Sequence, residues 1–243
     1  IEKGNMLPSA GRLDTTNPCG EQPLHPYDAC NLGSVNLKKF VTADKEVDYG
    51  RLETTVQKMV RFMDNVNDLN EGPIPQIEET VRRHRRIGMG VMGWADMLMK
   101  MRIGYDSEEC YDLAEKVMSF TDDTAKKQSI EIAKTKGVFP MFDESLYTDS
   151  ERVRNLARTT IAPTGSIAMV ADVNSGIEPW YGLIHYKKMR GGDMVKVVNS
   201  EFEVALKENG VCEEDVELIL EKVQKNSGSC QGIAEVPEDV QKV

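Results

Sequence analysis

Helical segments that alternate with short β segments constrain this fold more than any other feature of the sequence. From about Asp48 to Asn67, apolar residues recur every three or four positions, which predicts an amphipathic helix. Further helices are predicted from Pro75 towards Arg86, from Ser107 (as N-cap) to about Lys136, near 199–209 and over 213–226. Strands are predicted over 32–41 and at the start of 155–170. This alternation is typical of an α/β fold with mainly parallel strands.

Composition narrows the classes of partner. The 243 residues carry a formal net charge of −10, and such an acidic balance argues against sequence-independent binding to nucleic acid. No apolar run approaches the ~20 residues of a membrane-spanning helix, so no membrane partner is expected. The five cysteines are odd in number and follow no disulfide-framework spacing, which favours a reducing, cytoplasmic location.

The stretch Asn17-Pro18-Cys19-Gly20-Glu21 is the first candidate site. Pro18 and Gly20 favour a tight loop with Cys19 near its tip, and Asn17 and Glu21 can flank the thiol. A surface turn with an incidental cysteine fits the motif alone equally well. Because a nearby carboxylate raises the pKa of a thiol, a catalytic Cys19 would act as a neutral thiol or a sulfur radical. Glu21 would then act on the substrate.

A second cysteine, Cys30, follows eleven residues after Cys19. Its role could be metal ligation, a disulfide, or a pair of redox thiols in one pocket. Zinc is disfavoured, because no CxxC and no nearby His–Cys cluster supplies four ligands. No metal site is therefore predicted.

The stretch TTIAPTGSIAMV is the third candidate. A strand that leads into a Pro-Thr-Gly-Ser turn and a new apolar segment resembles a phosphate cradle, with hydroxyls from Thr164 and Ser166. A Walker A loop is excluded, because no lysine follows Gly165. The alternative interpretation is a structural turn that connects a strand to a helix and binds no ligand.

The stretch GMGVMG fits the dinucleotide pattern G-x-G-x-x-G, but the sequence around it does not. It follows RRHRRI, which we interpret as a basic helical end rather than a strand. Close packing of the backbone at Gly88, Gly90 and Gly93 against a neighbouring element is the prediction instead. The four arginines of the basic run are predicted to form a solvated helix face, with an anion contact as the alternative, and His84 has no evident partner. The arginines are Arg82, Arg83, Arg85 and Arg86.

Five stretches, in this order, resemble the adenosylcobalamin-dependent (class II) ribonucleotide reductases: TNPCGEQPL, PYDACNLGSVNL, RRIGMGVMGWADML, RTTIAPTGSIAMV and NSGIEPW. They extend from about residue 15 to 181. The resemblance implies an α/β fold that is part of a ten-stranded barrel with a central finger loop, here its C-terminal half and so an incomplete barrel. It also implies that 1–243 is a single catalytic barrel region, with 182–243 mostly helical.

The resemblance implies a role for each candidate residue. Cys19 matches the cysteine that becomes a thiyl radical and takes the ribose 3′ hydrogen, and Glu21 matches the base on the 3′ hydroxyl. Asn17 matches the amide that orients the ribose hydroxyls, and Cys30 matches one of two cysteines that supply electrons. The loop that holds the substrate phosphates matches Pro163, Thr164, Gly165, Ser166 and Ile167.

The resemblance also implies partners. They are adenosylcobalamin as cofactor, a ribonucleoside di- or triphosphate as substrate, and a thioredoxin-like reductant. A deoxynucleotide effector would bind mostly in an N-terminal half that this chain does not match, and a homodimer is allowed. The isolated chain is expected to be inactive. The alternatives are a non-radical dithiol oxidoreductase that uses Cys19 and Cys30, or a reductase of the metal-radical class.

Overall fold

The computed structural model describes residues 2–188 and 191–242. Its helices are α1 Tyr49–Leu69, α2 Pro75–His84, α3 Trp94–Met101, α4 Glu108–Lys136, α5 Ile167–Val170, α6 Ser200–Glu208, α7 Glu213–Lys225 and α8 Glu238–Gln241. Its strands are β1 Thr15–Thr16, β2 Pro23–Leu24, β3 Asn31–Asn36, β4 Ile87–Met92, β5 Ile184–Lys188 and β6 Met194–Val198. Groups of helices and groups of strands follow one another, as expected of an α/β fold. The prediction of mainly parallel strands is wrong for the described residues, because β3–β4 pair parallel while β1–β2 and β5–β6 pair antiparallel.

The parallel pair β3–β4 lies at the centre of the largest core, with Asn31 opposite Ile87 and Asn36 opposite Met92. The segment 157–160 follows the other edge of β4: the Met89 N–H donates to the Arg158 carbonyl at 2.8 Å. This segment forms only one parallel bridge, so the strand predicted at the start of 155–170 is wrong as a regular element. Its backbone nevertheless carries the chain from the core to the PTGS turn.

The two long helices cover this pair as predicted. Helix α1 buries one apolar face of Leu52, Val56, Val60 and Met63, which matches the three- and four-residue spacing read from the sequence. Helix α4 begins after Ser107, whose hydroxyl accepts the Cys110 N–H at 3.1 Å, and it ends before a glycine of positive φ. The side chains of these helices and of β3, β4 and α3 form one continuous apolar core.

Residues 88–92 of the GMGVMG stretch belong to strand β4, whose six residues are all buried. Helix α2 ends at His84, so the interpretation of RRHRRI as a basic helical end is correct for residues 82–84 and wrong for the residues that lead into β4. The predicted close packing is confirmed. A Cβ added at Gly90 would lie 2.8 Å from the Thr160 carbonyl oxygen, and one at Gly88 would lie 2.5 Å from a Leu32 methyl. Glycine allows both neighbours of β4 to approach it.

The prediction of a solvated arginine face is correct for Arg82 and Arg83 and wrong for the next two arginines. Arg85 is buried and donates to Asp64 at 2.7 Å. Arg86 is buried and donates to Asp28 at 2.6 Å. Buried guanidinium groups need such partners because an unpaired buried charge is very costly.

The C-terminal part has a core of its own, formed by α6, α7, α8 and the segments around them. Strands β5 and β6 form an antiparallel hairpin there, which the sequence reading missed. Among the described residues, no helix is both long and apolar enough to cross a membrane.

Candidate active site

Cys19 lies at the tip of a short hairpin. Strands β1 and β2 pair antiparallel, with Thr16 opposite Pro23, and the Gly20 N–H donates to the Asn17 carbonyl at 3.0 Å to close the turn. Gly20 has a φ of +84°, which suits glycine at the end of such a turn. The Cys19 side chain is exposed. The structure thus has the tight loop that the Pro–Cys–Gly order predicts.

The two polar neighbours of Cys19 behave differently. The side-chain oxygen of Asn17 accepts the Gln22 N–H at 2.9 Å and so helps to close the hairpin. The Glu21 carbonyl accepts the Thr160 hydroxyl at 3.0 Å, which ties the hairpin to the segment beside β4. One carboxylate oxygen of Glu21, Oε2, is buried and has no hydrogen-bond partner among the described residues. A buried carboxylate oxygen without a hydrogen-bond partner costs free energy. Glu21 is therefore a candidate to accept a hydrogen bond from a bound ligand.

The hairpin tip forms one wall of a cleft of about 300 Å³. Residues 19–21 line this wall, residues 161–163 line a second, and residues 176–178 line the third. The structure therefore brings Cys19 and Glu21 to the same cavity as Pro163, the first residue of the predicted phosphate loop. The hairpin tip and the second wall are about 140 residues apart in the sequence, and the hydrogen bond from the Thr160 hydroxyl to the Glu21 carbonyl joins the two segments.

Cys30 lies outside the lining of this cleft, immediately before β3 and half-buried. Burial raises the pKa of the Cys30 thiol to about 12; the Arg86 guanidinium opposes this rise, and the Asp28 and Glu21 carboxylates add to it. The thiol is therefore neutral at physiological pH and lies within the electrostatic reach of Glu21. A Cβ at Gly88 would lie 3.0 Å from the Cys30 sulfur.

The predicted phosphate loop begins with an unusual backbone. Thr164 is buried and has a φ of +55°, a left-handed conformation that is strained for a β-branched residue. Its hydroxyl oxygen accepts the Gly176 N–H at 2.7 Å, so it is directed at the third wall of the cleft. Gly165, Ser166 and Ile167 are exposed, and α5 follows for only four residues.

A buried polar cluster lies behind Cys30, and the sequence reading missed it. Asp28 binds both the His84 ring at 2.7 Å and the Arg86 guanidinium at 2.6 Å, while Arg86 also reaches His25 at 3.2 Å. The statement that His84 lacks a partner is therefore wrong. The ligand atoms of the two histidines and Asp28 lie within 4.8 Å of one another, as in a metal site. Arg86 bonds two of the three and already supplies the positive charge that a metal ion would bring.

The third wall, residues 176–178, was also missed as a site. This wall belongs to the NSGIEPW stretch, one of the five stretches that resemble the reductase family. No local pattern of residue types indicates that this stretch faces Cys19 across a cleft.

Comparison with known proteins identifies the family. The family model described as "Ribonucleotide reductase, barrel domain" matches residues 2–243. The chain belongs to the ribonucleotide reductase family. It is 41% identical to the "Vitamin B12-dependent ribonucleoside-diphosphate reductase" of Thermoplasma acidophilum over 244 residues, which cover 100% of this chain and 31% of that protein. It is 39% identical to the protein of the same name from Mycobacterium tuberculosis, over 99% of this chain and 34% of that protein.

A solved structure supports the fold of this reductase barrel domain. The "Actinobacillus ureae class Id ribonucleotide reductase alpha subunit" matches with a TM-score of 0.72 at 22% sequence identity, over 100% of this chain and 45% of that one. The chain spans about a third of the length of its curated relatives. The strands in the described residues form three two-stranded sheets and do not close a barrel, which agrees with the expected incomplete barrel.

Proposed function

We propose that this chain is the catalytic barrel region of a vitamin B12-dependent reductase that converts ribonucleoside diphosphates to 2′-deoxyribonucleotides. The main support is that one cleft is lined by Cys19, by Glu21 and by Pro163, the first residue of the Pro-Thr-Gly-Ser turn. The Cys19 thiol is exposed, and one Glu21 carboxylate oxygen has no partner among the described residues. The relatives at 39–41% identity are named vitamin B12-dependent ribonucleoside-diphosphate reductases, which supports this substrate class and cofactor.

The Cys19 thiol fits a radical cofactor, because it is exposed at the tip of a fixed hairpin with open space before it. When bound, adenosylcobalamin would supply the radical chemistry that removes the hydrogen atom of the Cys19 thiol. In the proposed reaction the Cys19 sulfur, as a thiyl radical, takes the hydrogen atom from the ribose 3′ carbon and later returns it.

Glu21 is the general base in this proposal. Its buried Oε2 accepts the proton of the ribose 3′ hydroxyl, an interaction that satisfies an oxygen left without a partner among the described residues. Asn17 is the amide expected to orient the ribose hydroxyls. Its oxygen already fixes the hairpin through Gln22, so the contact to the ribose falls to its NH₂ group.

Cys30 supplies one of the two thiols that reduce the sugar. The carbon–oxygen bond at the 2′ position breaks, the hydroxyl leaves as water, and two thiols become one disulfide. Because its pKa is raised to about 12, Cys30 keeps its hydrogen at neutral pH, as this role requires. Cys30 lies outside the cleft lining, so the proposal requires that the bound sugar extend from the cleft to this thiol. The second thiol is expected from outside this chain.

The remaining assignments follow from the same proposal. Residues 163–167 contact the substrate phosphates, with the exposed Ser166 as the hydroxyl donor. A thioredoxin-like protein regenerates the thiols, a deoxynucleotide effector binds mainly outside this chain, and the enzyme acts in the cytoplasm, where a homodimer is allowed. Residues 1–243 act as one catalytic region.

The test uses the full-length reductase that contains this chain and a ribonucleoside diphosphate with tritium at the 3′ position. Cys19→Ser is expected to abolish tritium release, because an alcohol hydrogen cannot be exchanged in this way. Glu21→Gln is expected to lower turnover by about 100-fold or more, the effect of losing a general base. Cys212→Ser is the matched control, since Cys212 is also exposed but lies in the C-terminal part. Tritium release that survives Cys19→Ser would disprove the proposal.

The same assay separates the two alternatives. A dithiol oxidoreductase that uses Cys19 and Cys30 would tolerate Glu21→Gln, since simple disulfide exchange needs no base on a sugar. A metal-radical reductase would work without added cobalamin. We expect neither result, because the relatives at 39–41% identity carry names of cobalamin-dependent enzymes.

A further inference from the structure

The third wall of the cleft, residues 176–178, belongs to the segment 174–178 of the NSGIEPW stretch. Polar contacts fix this segment to the core. The Gly93 N–H donates to the Asn174 carbonyl at 2.9 Å, and the Tyr105 hydroxyl donates to the Ile177 carbonyl at 2.5 Å. The Gly176 N–H donates to the Thr164 hydroxyl, as described above. The wall is thus bonded both to the β4–α3 junction and to the phosphate loop.

The fit of this wall is close. Gly176 has a φ of +48°, and a Cβ added there would lie 2.9 Å from the Ala162 carbonyl oxygen. Residues 176–178 face the hairpin tip across the cleft that contains Cys19 and Glu21. A small displacement of this segment therefore changes the width of the space that a nucleotide would occupy.

One buried carboxylate holds the wall. Asp96, in the first turn of α3, is 1% exposed, and its Oδ2 accepts the Asn174 N–H at 2.7 Å. Its second oxygen is buried without a hydrogen-bond partner among the described residues. The nearby ion pair of Lys38 and Glu201 contributes one charge of each sign. A carboxylate in so buried a place is costly, and its Oδ2 accepts the backbone N–H of Asn174, two residues before the wall.

We propose that residues 176–178 form the substrate-contacting wall opposite Cys19, and that Asp96 is the positioning residue that holds this wall in place through Asn174. The proposal rests on the proposed function for the identity of the ligand, a ribonucleotide. Asp96 itself lies behind the wall and touches no reacting atom. It acts through the Asn174 backbone, and its effect is on substrate binding.

The experiment uses the full-length reductase and two variants of similar side-chain size. Asp96→Leu removes the acceptor, and it is expected to raise the KM for the ribonucleoside diphosphate by about tenfold or more, the effect of losing one charged hydrogen bond. We expect kcat to change much less than KM. Asp96→Asn keeps an acceptor oxygen in the same place and is expected to restore a near-normal KM.

Hydrogen exchange gives a readout that does not depend on turnover. Asp96→Leu should increase exchange at the Asn174 and Gly176 amides while the Met89 amide in β4 keeps its protection. Thr121→Val is the matched control, because it removes another buried hydrogen bond, within α4, far from the wall in sequence. It should leave both KM and loop exchange unchanged.

The two measurements test the two parts of the proposal separately. If Asp96→Leu increases hydrogen exchange at Asn174 and Gly176 but leaves KM unchanged, the wall does not contact the substrate. If exchange at these amides is unchanged, Asp96 does not position the wall. If the Leu variant does not fold, Asp96→Glu keeps the charge and displaces the acceptor, and an unchanged KM there overturns the inference equally. If the wild-type enzyme binds no ribonucleotide, the proposed function fails, while the exchange data still report the position of the wall.

Discussion

Two regions of the molecule are built in opposite ways: the layer, which consists of strands β3 and β4 with helices α1 and α4, and the cleft segment, residues 161–181. In the layer, all six residues of β4 are buried, and α1 and α4 cover the sheet with apolar faces. The cleft segment contains only the four-residue α5, and several of its large apolar side chains are exposed, with Val170 91% exposed. Individual polar contacts hold it instead, such as those made by Asp96 and Thr164.

This difference separates two kinds of stability. The layer is stabilised by many small apolar contacts, so no single one decides its shape. The cleft segment depends on a few hydrogen bonds at defined atoms, so its shape is sensitive to single changes. A site that must admit a substrate has to leave surface uncovered, and precise backbone anchors compensate for the packing that it lacks.

The largest expected contrast is in thiol reactivity, since Cys19 faces the cleft and Cys30 borders the layer. At pH 8 a thiol whose pKa is about 12 is ionised to only about one part in ten thousand. We expect iodoacetamide to label the exposed Cys19 and Cys212 readily and Cys30 far more slowly, as mapped by mass spectrometry. Raising the pH by one unit should speed Cys30 labelling about tenfold, because the thiolate fraction rises tenfold per unit below the pKa. Equal labelling of Cys30 and Cys212 would show that the layer does not shield Cys30.

The next effect tests the polar anchor of the layer itself. Asp64 is fully buried and binds Arg85 at 2.7 Å, with Asn155 as a further donor at 3.1 Å. Asp64→Ala leaves a buried guanidinium short of a partner, so we expect a loss of about 3–5 kcal/mol in the free energy of unfolding. Urea titration of the chain measures it. The control is Asp149→Ala, which removes an exposed ion pair and should change stability by less than about 1 kcal/mol. Similar losses in the two variants would contradict the contrast.

The smallest effect compares one substitution in the two regions. A Cβ at Gly88 in β4 would meet a Leu32 methyl at 2.5 Å and the Cys30 sulfur at 3.0 Å. Gly88→Ala should therefore destabilise the chain by about 1–3 kcal/mol through overpacking. In the cleft segment, a Cβ at Gly165 has no heavy atom of the described residues within 4 Å, and Gly165→Ala should change stability by less than about 1 kcal/mol. Thermal unfolding followed by circular dichroism distinguishes them, and a larger shift for Gly165→Ala would reverse the comparison.

The elements of the layer could be predicted from the sequence where an apolar period runs through them. Helix α1 is the clearest case, because Leu52, Val56 and Val60 repeat at the helical spacing and are all buried. Strand β4 gave no such signal, since glycines occupy its alternate positions. The partners of Arg85 and Arg86 could not be predicted either, because Asp64 and Asp28 lie 21 and 58 positions away.

The candidate site was predictable only in part. Pro18 and Gly20 indicate the turn that presents Cys19, because proline fixes φ and glycine allows the positive φ that the turn requires. The third wall depends on the bonds from Asp96 to Asn174 and from Gly176 to Thr164, which span 78 and 12 positions. Such hydrogen bonds form only when the chain is folded, and the sequence around each residue does not predict its partner. The roles of the site residues stay predictions until the variants are measured.

All five cysteines lie within the described residues, and all five are free. The architecture is therefore fastened without covalent cross-links. Reducing agents therefore have no disulfide of this chain to break. Oxidation and re-reduction at Cys30 can accordingly be followed as a chemical event in its own right, separate from the folding of the molecule.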